Sequence, residues 1–429
     1  MARPTAHFVC HGCGTRVDAA ESLPFRCPNA GTDDVDHLLL PVDAEPVFPP
    51  SREDNPYLRY RHLLSPYRLA RSAGLSDDAW AEFVGRLDEK LADIDGTGFR
   101  VTPMGEQPDL AQAIGCKDAL WVKNETGNVS GSHKARHLMG VMLYLRVIAA
   151  ARLTVGDGLA HRRLAISSCG NAALAAAVIA RAADWPLDVF IPPDASAAVV
   201  GRLKELGAKI AVCARQGGEA GDPCFLRFRE AVQAGAIPFG VQGTENGLAV
   251  EGARTLAFEM AEGFASAQQF PKSVFVQVGG GALASALGQG FALAATAGLI
   301  AKPPRLIAVQ TAGCAPLDRA WRKMAATRPT DAARHRSHFM WPWESVPHSI
   351  AHGILDDETY DWLEIVKVMQ QTGGRSLVVD EGTLAKAYEL GLQLTGIPVS
   401  ATGSAGLAGL IADPSHDGPV AVVFSGVDR

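Results

Sequence analysis

The 429-residue chain is short of several things that mark special protein classes. Its eight cysteines are about 2% of the residues, far below the density of a disulfide scaffold. Its 44 glycines and 26 prolines make about 16%, under the roughly 25–30% of low-complexity chains, which excludes collagen-like and disordered readings. There is no excess of positive charge. Forty Lys and Arg face 46 Asp and Glu, a formal charge of −6, so nothing draws nucleic acid or an anionic membrane to the surface as a whole. The segment MARPTAHFVCHGCG lacks the apolar run of a signal peptide, and scattered thiols without one lead us to expect a reducing cytoplasm. No internal repeat is visible. G-x-G-x-x-G and the P-loop GK[ST] are both missing, which removes the usual dinucleotide and nucleotide fingerprints.

One stretch lacks charge altogether. No Asp, Glu, Lys or Arg stands between Lys272 and Lys302, long enough to span a bilayer. It contains Gln277, Gln289 and the run Gly279-Gly280-Gly281, begins with the β-branched VFVQV and turns Ala-rich afterwards. A strand, a turn and a buried helix explain it better than a membrane span.

What is present is an ordinary globular balance, 47% hydrophobic and 20% charged, with a length that allows two to three domains of about 150 residues. Residues 57–95 carry apolar residues at helical spacing. From 119 onward, short apolar runs alternate with Ala-rich helices. Strands are expected at 119–123, 164–168, 187–192, 209–213, 274–278, 306–310 and 420–424. Helices are expected at 135–150, 172–183, 197–206, 247–262 and 283–297. Such alternation predicts an α/β fold with mostly parallel sheets, and places ligands beyond the carboxyl ends of strands, at helix N-termini. Residues 312–350 break the pattern and read as an insertion, with Trp341 and Trp343 packing a loop and the nearby histidines structural or interfacial.

Four motifs sit at strand ends. In VFVQVGGGALAS the glycines let the backbone approach a ligand and gather several N–H groups, and the following helix adds roughly half a positive charge, which fits a phosphate. In WVKNETGNVSGSHKARH, Lys134 opens a helix for which Ser132 can serve as N-cap. A lysine there is disfavoured as a cation, and a neutral amine is what a Schiff-base nucleophile needs. Ser168-Cys169-Gly170-Asn171 opens another helix, whose N–H groups suit a carboxylate. Ser425 stands at the tip of VAVVF. A lysine, a phosphate loop, a carboxylate loop and a terminal hydroxyl compose a pyridoxal phosphate site.

Over residues 95–429 the sequence resembles the fold-type-II pyridoxal phosphate enzymes, in the threonine synthase and serine/threonine dehydratase branch. The pieces are Thr102-Pro103, VKNE…GSHKAR, SSCGNAALA, ENGLAVEGARTLAFE, VQVGGGAL, SIAHGI, SATGSAGLAGL and SGVDR. The resemblance implies two unequal parallel-sheet α/β domains with a cleft between them: a larger one from 46–131 and 245–429, and a smaller one from 132–244. It implies Lys134 as the Schiff-base lysine and catalytic residue, and Asn171 as the partner of the cofactor 3′-oxygen. Gly279, Gly280, Gly281 and Ala282 would hold the phosphate, and Ser425 would face the pyridine nitrogen. Ser168, Cys169 and Gly170 would line the substrate carboxylate. A homodimer is the family's habit. The chain departs from the pattern at Cys169 (usually Ser), Ala282 (usually Gly), Ala135 (often Asp), Ile397 (often Glu) and His133 (usually Phe), where the His is similar to the tryptophan synthase β subunit. The expected partner is a small amino acid. The leading expectation is a threonine or serine ammonia-lyase. The alternatives are threonine synthase acting on O-phosphohomoserine, another β-replacement or diaminopropionate-type lyase, and a non-catalytic protein that binds pyridoxal phosphate or zinc.

Residues 1–45 resemble the zinc ribbon that precedes some threonine synthases. Cys10-x-x-Cys13 is followed by Cys27, but the second C-x-x-C is broken by Pro28-Asn29-Ala30. Tetrahedral zinc needs four ligands. His37 is the expected fourth, with His11 a weaker choice and a metal-free ribbon the plainer reading. Three arginines against seven acids in this segment argue against nucleic acid. Arg136 and Arg254 are read as surface residues, with orientation of an acidic substrate group as the alternative.

Overall fold

The computed structural model describes residues 6–217, 221–327, 329–413 and 417–429. Three sheets organise it. The largest has six strands in the spatial order 375–379, 305–311, 273–277, 420–424, 120–124 and 104–106. Its neighbours run parallel except Met104–Glu106, which pairs antiparallel with Leu120–Asn124 at the edge. Ser273–Gln277 and Val420–Phe424 are buried at every residue, as strands covered on both faces must be. The second sheet has four parallel strands in the order 209–212, 187–191, 164–167 and 237–238. The chain leaves the first sheet after Asn124, builds the second between Leu164 and Pro238, and returns at Ser273. The third sheet is small and antiparallel, formed by His7–Cys10, Arg16–Asp18 and Leu39–Pro41.

The expected strands and helices are present with ends shifted by a few residues. The charge-free stretch resolves into Ser273–Gln277 and the helix Ala282–Thr296. Among the described residues no single helix is long and apolar enough to cross a membrane. Part of the irregular 312–350 stretch is regular after all, since Pro316–Thr327 is a helix. The Arg319 guanidinium lies 3.7 Å from the Trp341 ring centre, so this tryptophan packs within the segment.

Two arginines overturn their expected surface placement. Arg136 is fully buried and Arg254 is 2% exposed. Arg136 Nε donates to Glu125 (2.7 Å) and its Nη1 to Glu259 (2.6 Å), while Lys123 Nζ donates to Glu259 (2.5 Å). Thr102 joins the group by donating to Glu125. Two cations face two carboxylates, so the cluster is neutral as a whole and every charge is paired, which makes its burial tolerable. It ties the edge strands to the first turn of the Lys134 helix. Arg254 donates to Asp43 (2.6 Å) and to Gln289 (3.0 Å) in the same fashion.

Candidate active site

Parallel register brings the motif-bearing strand ends together. Phe424 pairs with Asn124, and Val420–Val422 pair with Ser273–Phe275. The loops that follow therefore start side by side at the carboxyl ends of three neighbouring strands of the six-stranded sheet. Ser132 bridges to Gly426, and the His133 N–H donates to the Ser425 carbonyl at 3.0 Å.

Lys134 is the first residue of the helix Lys134–Ala150. Its N-cap is His133, with no side-chain cap, and the Ser132 hydroxyl has no partner, so the expected capping by Ser132 does not occur. The bridge to Gly426 holds Ser132 in extended backbone (φ −163°), one residue before the cap. Burial lowers the Lys134 pKa below the ordinary lysine value, while Asp356 and Asp361 nearby act in the opposite sense. His133 and His137 flank it. Each presents Nδ1 to a carbonyl, Ser425 at 3.1 Å and Ala249 at 2.8 Å, so Nδ1 carries the proton and Nε2 is left bare and unpartnered. Burial pushes His137 down to about 3 and His133 well below its usual range, so both rings are neutral.

The glycine loop leaves no space for side chains. A Cβ at Gly279 would lie 2.4 Å from an Asp356 carboxylate oxygen, one at Gly280 would lie 2.9 Å from the Tyr360 ring, and one at Gly281 would lie 2.8 Å from Ile365. Gly281 also has φ +102°, which favours glycine. Ala282 begins the helix and is buried. The Gly280 N–H donates to Asp356 Oδ2 at 2.8 Å. A carboxyl oxygen thus occupies one N–H of this loop, and Asp356 would have to give it up for a phosphate to take its place. Thr359 adds a hydrogen bond to the Gly279 carbonyl at 2.9 Å.

Ser425 is buried, and the Gln277 side-chain N–H donates to its hydroxyl oxygen. With that lone pair engaged, the Ser425 O–H is left to donate outward, as an unprotonated pyridine nitrogen requires. The other end of Gln277 has no partner, nor has either carboxylate oxygen of Asp361. Unpartnered buried polar atoms of this kind are what a polar ligand would satisfy. The residues present fit pyridoxal phosphate.

On the facing sheet, Leu164–Ser167 ends in the Ser168–Gly170 turn, and Asn171 opens the helix Asn171–Ala182. Gly170 is its N-cap and offers no side-chain cap, so the leading N–H groups are free for a carboxylate. Cys169 is the one exposed cysteine of the eight. Sequence reasoning missed Gln277, hidden in an apolar strand, and Asp356 and Asp361, which lie outside every motif.

The fold brings the N-terminal cysteines and one histidine together. One ligand atom from each of Cys10, Cys13, Cys27 and His37 lies within 4.8 Å of every other. Cys10 Sγ is 3.4 Å from His37 Nδ1, and Cys13 Sγ is 3.6 Å from Cys27 Sγ. His37 Nε2 lies 3.2 Å from both oxygens of Asp33, an arrangement that leaves Nδ1 as the ligand atom. His11 turns away and contacts Glu364.

Comparison with known proteins agrees with this geometry. A family model described as pyridoxal-phosphate dependent enzyme matches residues 97–426. A threonine synthase of Mycobacterium tuberculosis is 28% identical over 315 residues, 72% of this chain and 75% of the relative. An L-serine dehydratase of Saccharomyces cerevisiae is 29% identical over 212 residues, 48% of this chain and 59% of the relative. A solved threonine deaminase, from T.th., superposes with a TM-score of 0.59 at 19% identity, covering 81% of this chain and 98% of that one. Its fold is therefore shared. The strand-end lysine, the glycine loop and the family match over residues 97–426 lead to one conclusion: the chain belongs to the pyridoxal-phosphate dependent enzymes, with the fold-type-II architecture.

Proposed function

We propose that the chain is a lyase that removes the β-hydroxyl of a small amino acid, threonine or serine, releasing a 2-oxo acid and ammonia. The observation that carries this reading is the charge around the carboxylate loop. The packing around the Cys169 thiol is the main cause of its raised pKa, and the carboxylates of Asp194, Asp222 and Asp356 act in the same direction. Asp356 is engaged by the glycine loop, but Asp194 and Asp222 would still repel a substrate bearing its own phosphate, such as O-phosphohomoserine, and would not repel a neutral hydroxy amino acid. The likeness to threonine synthases supports the alternative reaction, which needs a basic pocket for that phosphate. The same carboxylates favour a second ammonium group, which makes diaminopropionate the second candidate substrate.

Bound pyridoxal phosphate would supply the electron sink that acidifies the substrate α-carbon. Lys134, Asn171, the Gly279–Ala282 loop and Ser425 would hold it. Burial lowers the Lys134 pKa and so favours the neutral amine, the form in which Nζ can take the α-proton. The N–H groups at the start of the Asn171 helix hold the substrate carboxylate. Gln277 fixes the Ser425 hydroxyl as a donor, and a neutral donor leaves the ring nitrogen unprotonated, a milder sink suited to elimination.

The test is a purified protein supplied with pyridoxal phosphate and offered threonine, serine, diaminopropionate and O-phosphohomoserine. The 2-oxo acid, phosphate and threonine are measured, with Lys134→Ala alongside. Threonine or serine should yield a 2-oxo acid, and Lys134→Ala should lose on the order of 10³-fold or more of the rate and the visible absorbance of the bound cofactor. Release of phosphate and threonine from O-phosphohomoserine would replace this reading with threonine synthase.

The second proposal is that Cys10, Cys13, Cys27 and His37 bind a structural zinc ion. Three thiolates and one imidazole form a closed tetrahedral set. Metal analysis should find one zinc per chain in the wild type and less than one-tenth of that in Cys13→Ser.

A further inference from the structure

Arg429 closes the SGVDR piece, where the resemblance gives it no role, yet its side chain reaches back past the Ser425 strand end. Its Nε donates to Asn171 Oδ1 at 2.8 Å, and its Nη2 donates to the carbonyl of Ser130. One side chain thus joins the loop of the smaller sheet to the turn that carries Lys134. The turn itself is unusual. Ser130 has φ 56° and Gly131 has φ 58°, two consecutive left-handed residues, the first of them not glycine. Such a conformation is strained and persists only where its surroundings enforce it. Here both faces of the Ser130 backbone are held. Its N–H donates to Asp95 Oδ2 at 2.5 Å, and its carbonyl accepts from Arg429. Asp95 is in turn faced by Arg202 at 3.8 Å. Gly131 is packed against the same guanidinium, since a Cβ there would lie 2.9 Å from Arg429 Nη2.

The contact with Asn171 has a chemical consequence. A guanidinium only donates, so the Asn171 oxygen must face Arg429 and its NH₂ must face the other way. That NH₂ lies 3.1 Å from the Cβ position of Gly426, beside Ser425. Without Arg429 nothing in this contact distinguishes the two ends of the amide.

We propose that Arg429 is a positioning residue that holds Asn171 with its NH₂ toward the cofactor's 3′-oxygen and fixes the Ser130–Gly131 turn that presents Lys134. This rests on the cofactor role of Asn171. Arg429 acts through Asn171 and Ser130 and touches no reacting atom. Its loss leaves the amide free to present oxygen to oxygen, a repulsive arrangement that weakens the anionic form of the 3′-oxygen.

The experiment is a pH titration of the visible absorbance of the cofactor-bound protein, for wild type, Asn171→Ala, Arg429→Gln and Arg429→Lys, with kcat and KM for the best substrate. Arg429→Gln should move the spectral midpoint in the same direction as Asn171→Ala and lower kcat about tenfold to a hundredfold with a smaller change in KM. Arg429→Lys, which can reach one acceptor but not both in a fork, should recover part of the shift. A shift in Asn171→Ala with none in Arg429→Gln overturns the proposal and spares the cofactor reading. No cofactor absorbance in wild type, or no shift in Asn171→Ala, overturns both.

Discussion

Two sets of buried polar groups in this molecule are built in opposite ways. In one, Lys123, Glu125, Arg136, Glu259 and Thr102 satisfy one another. In the other, the Ser132 hydroxyl, the bare nitrogens of His133 and His137, one end of Gln277 and both oxygens of Asp361 have no partner. Burial is similar in the two regions. What differs is the share of polar atoms left open. A closed network holds position, and an open one awaits something that completes it.

The comparison can be broken at the closed side. Arg136→Met strips Glu125 of its guanidinium and leaves Lys123 as the one cation on Glu259, so stability in urea should fall by about 3–5 kcal/mol. A loss below about 1 kcal/mol would mean that the network does not hold the helix. The open side responds to acid. His133 and His137 are neutral when folded but take up a proton near pH 6.5 when unfolded. Because their folded pKa values are lowered, the stability this gives is complete above pH 6.5. It is lost as pH falls, at about 1.4 kcal/mol per pH unit per ring, with the His137 share declining until about pH 3. His137→Gln should halve that slope in a series of urea midpoints against pH. The smallest effect concerns Cys169. A thiol reagent should modify Cys169 of the folded protein before the buried Cys116, Cys213, Cys224 and Cys314, and threonine should slow that step.

The legible parts of this molecule are those that a local stretch encodes. A β-branched strand followed by glycines, or by a lysine at a helix start, announces itself within a dozen residues, so Lys134, Gly279–Ala282, Asn171 and Ser425 can be read without a structure. Arg136 and Arg254 cannot. Their partners Glu259 and Asp43 are 123 and 211 residues away, and no spacing rule links them. Gln277 reads as part of an apolar strand because its role depends on Ser425, 148 residues later. The broken C-x-x-C leaves two histidines open as ligands, and only the fold separates them, by sending His11 to Glu364.

The small sheet also bears on how the chain is made. Its Cys10–His37 cluster closes within 27 residues. Its seat is far downstream: the Asp36 N–H donates to the Ala333 carbonyl at 2.7 Å, and the Phe25 carbonyl accepts from Gly247 at 2.8 Å. At a synthesis rate of about 5–20 residues per second, the ribosome needs roughly 15–60 s to go from residue 36 to residue 333. During that interval the first knot of the protein can close around its cysteines with only the earlier part of its seat, such as Tyr144 against Phe25 and the Ala19 carbonyl, already made. Whatever shields Phe8, Leu39 and Leu40, all buried at the end, must come from the knot itself, from that earlier part of the seat or from a chaperone until the rest of the chain arrives.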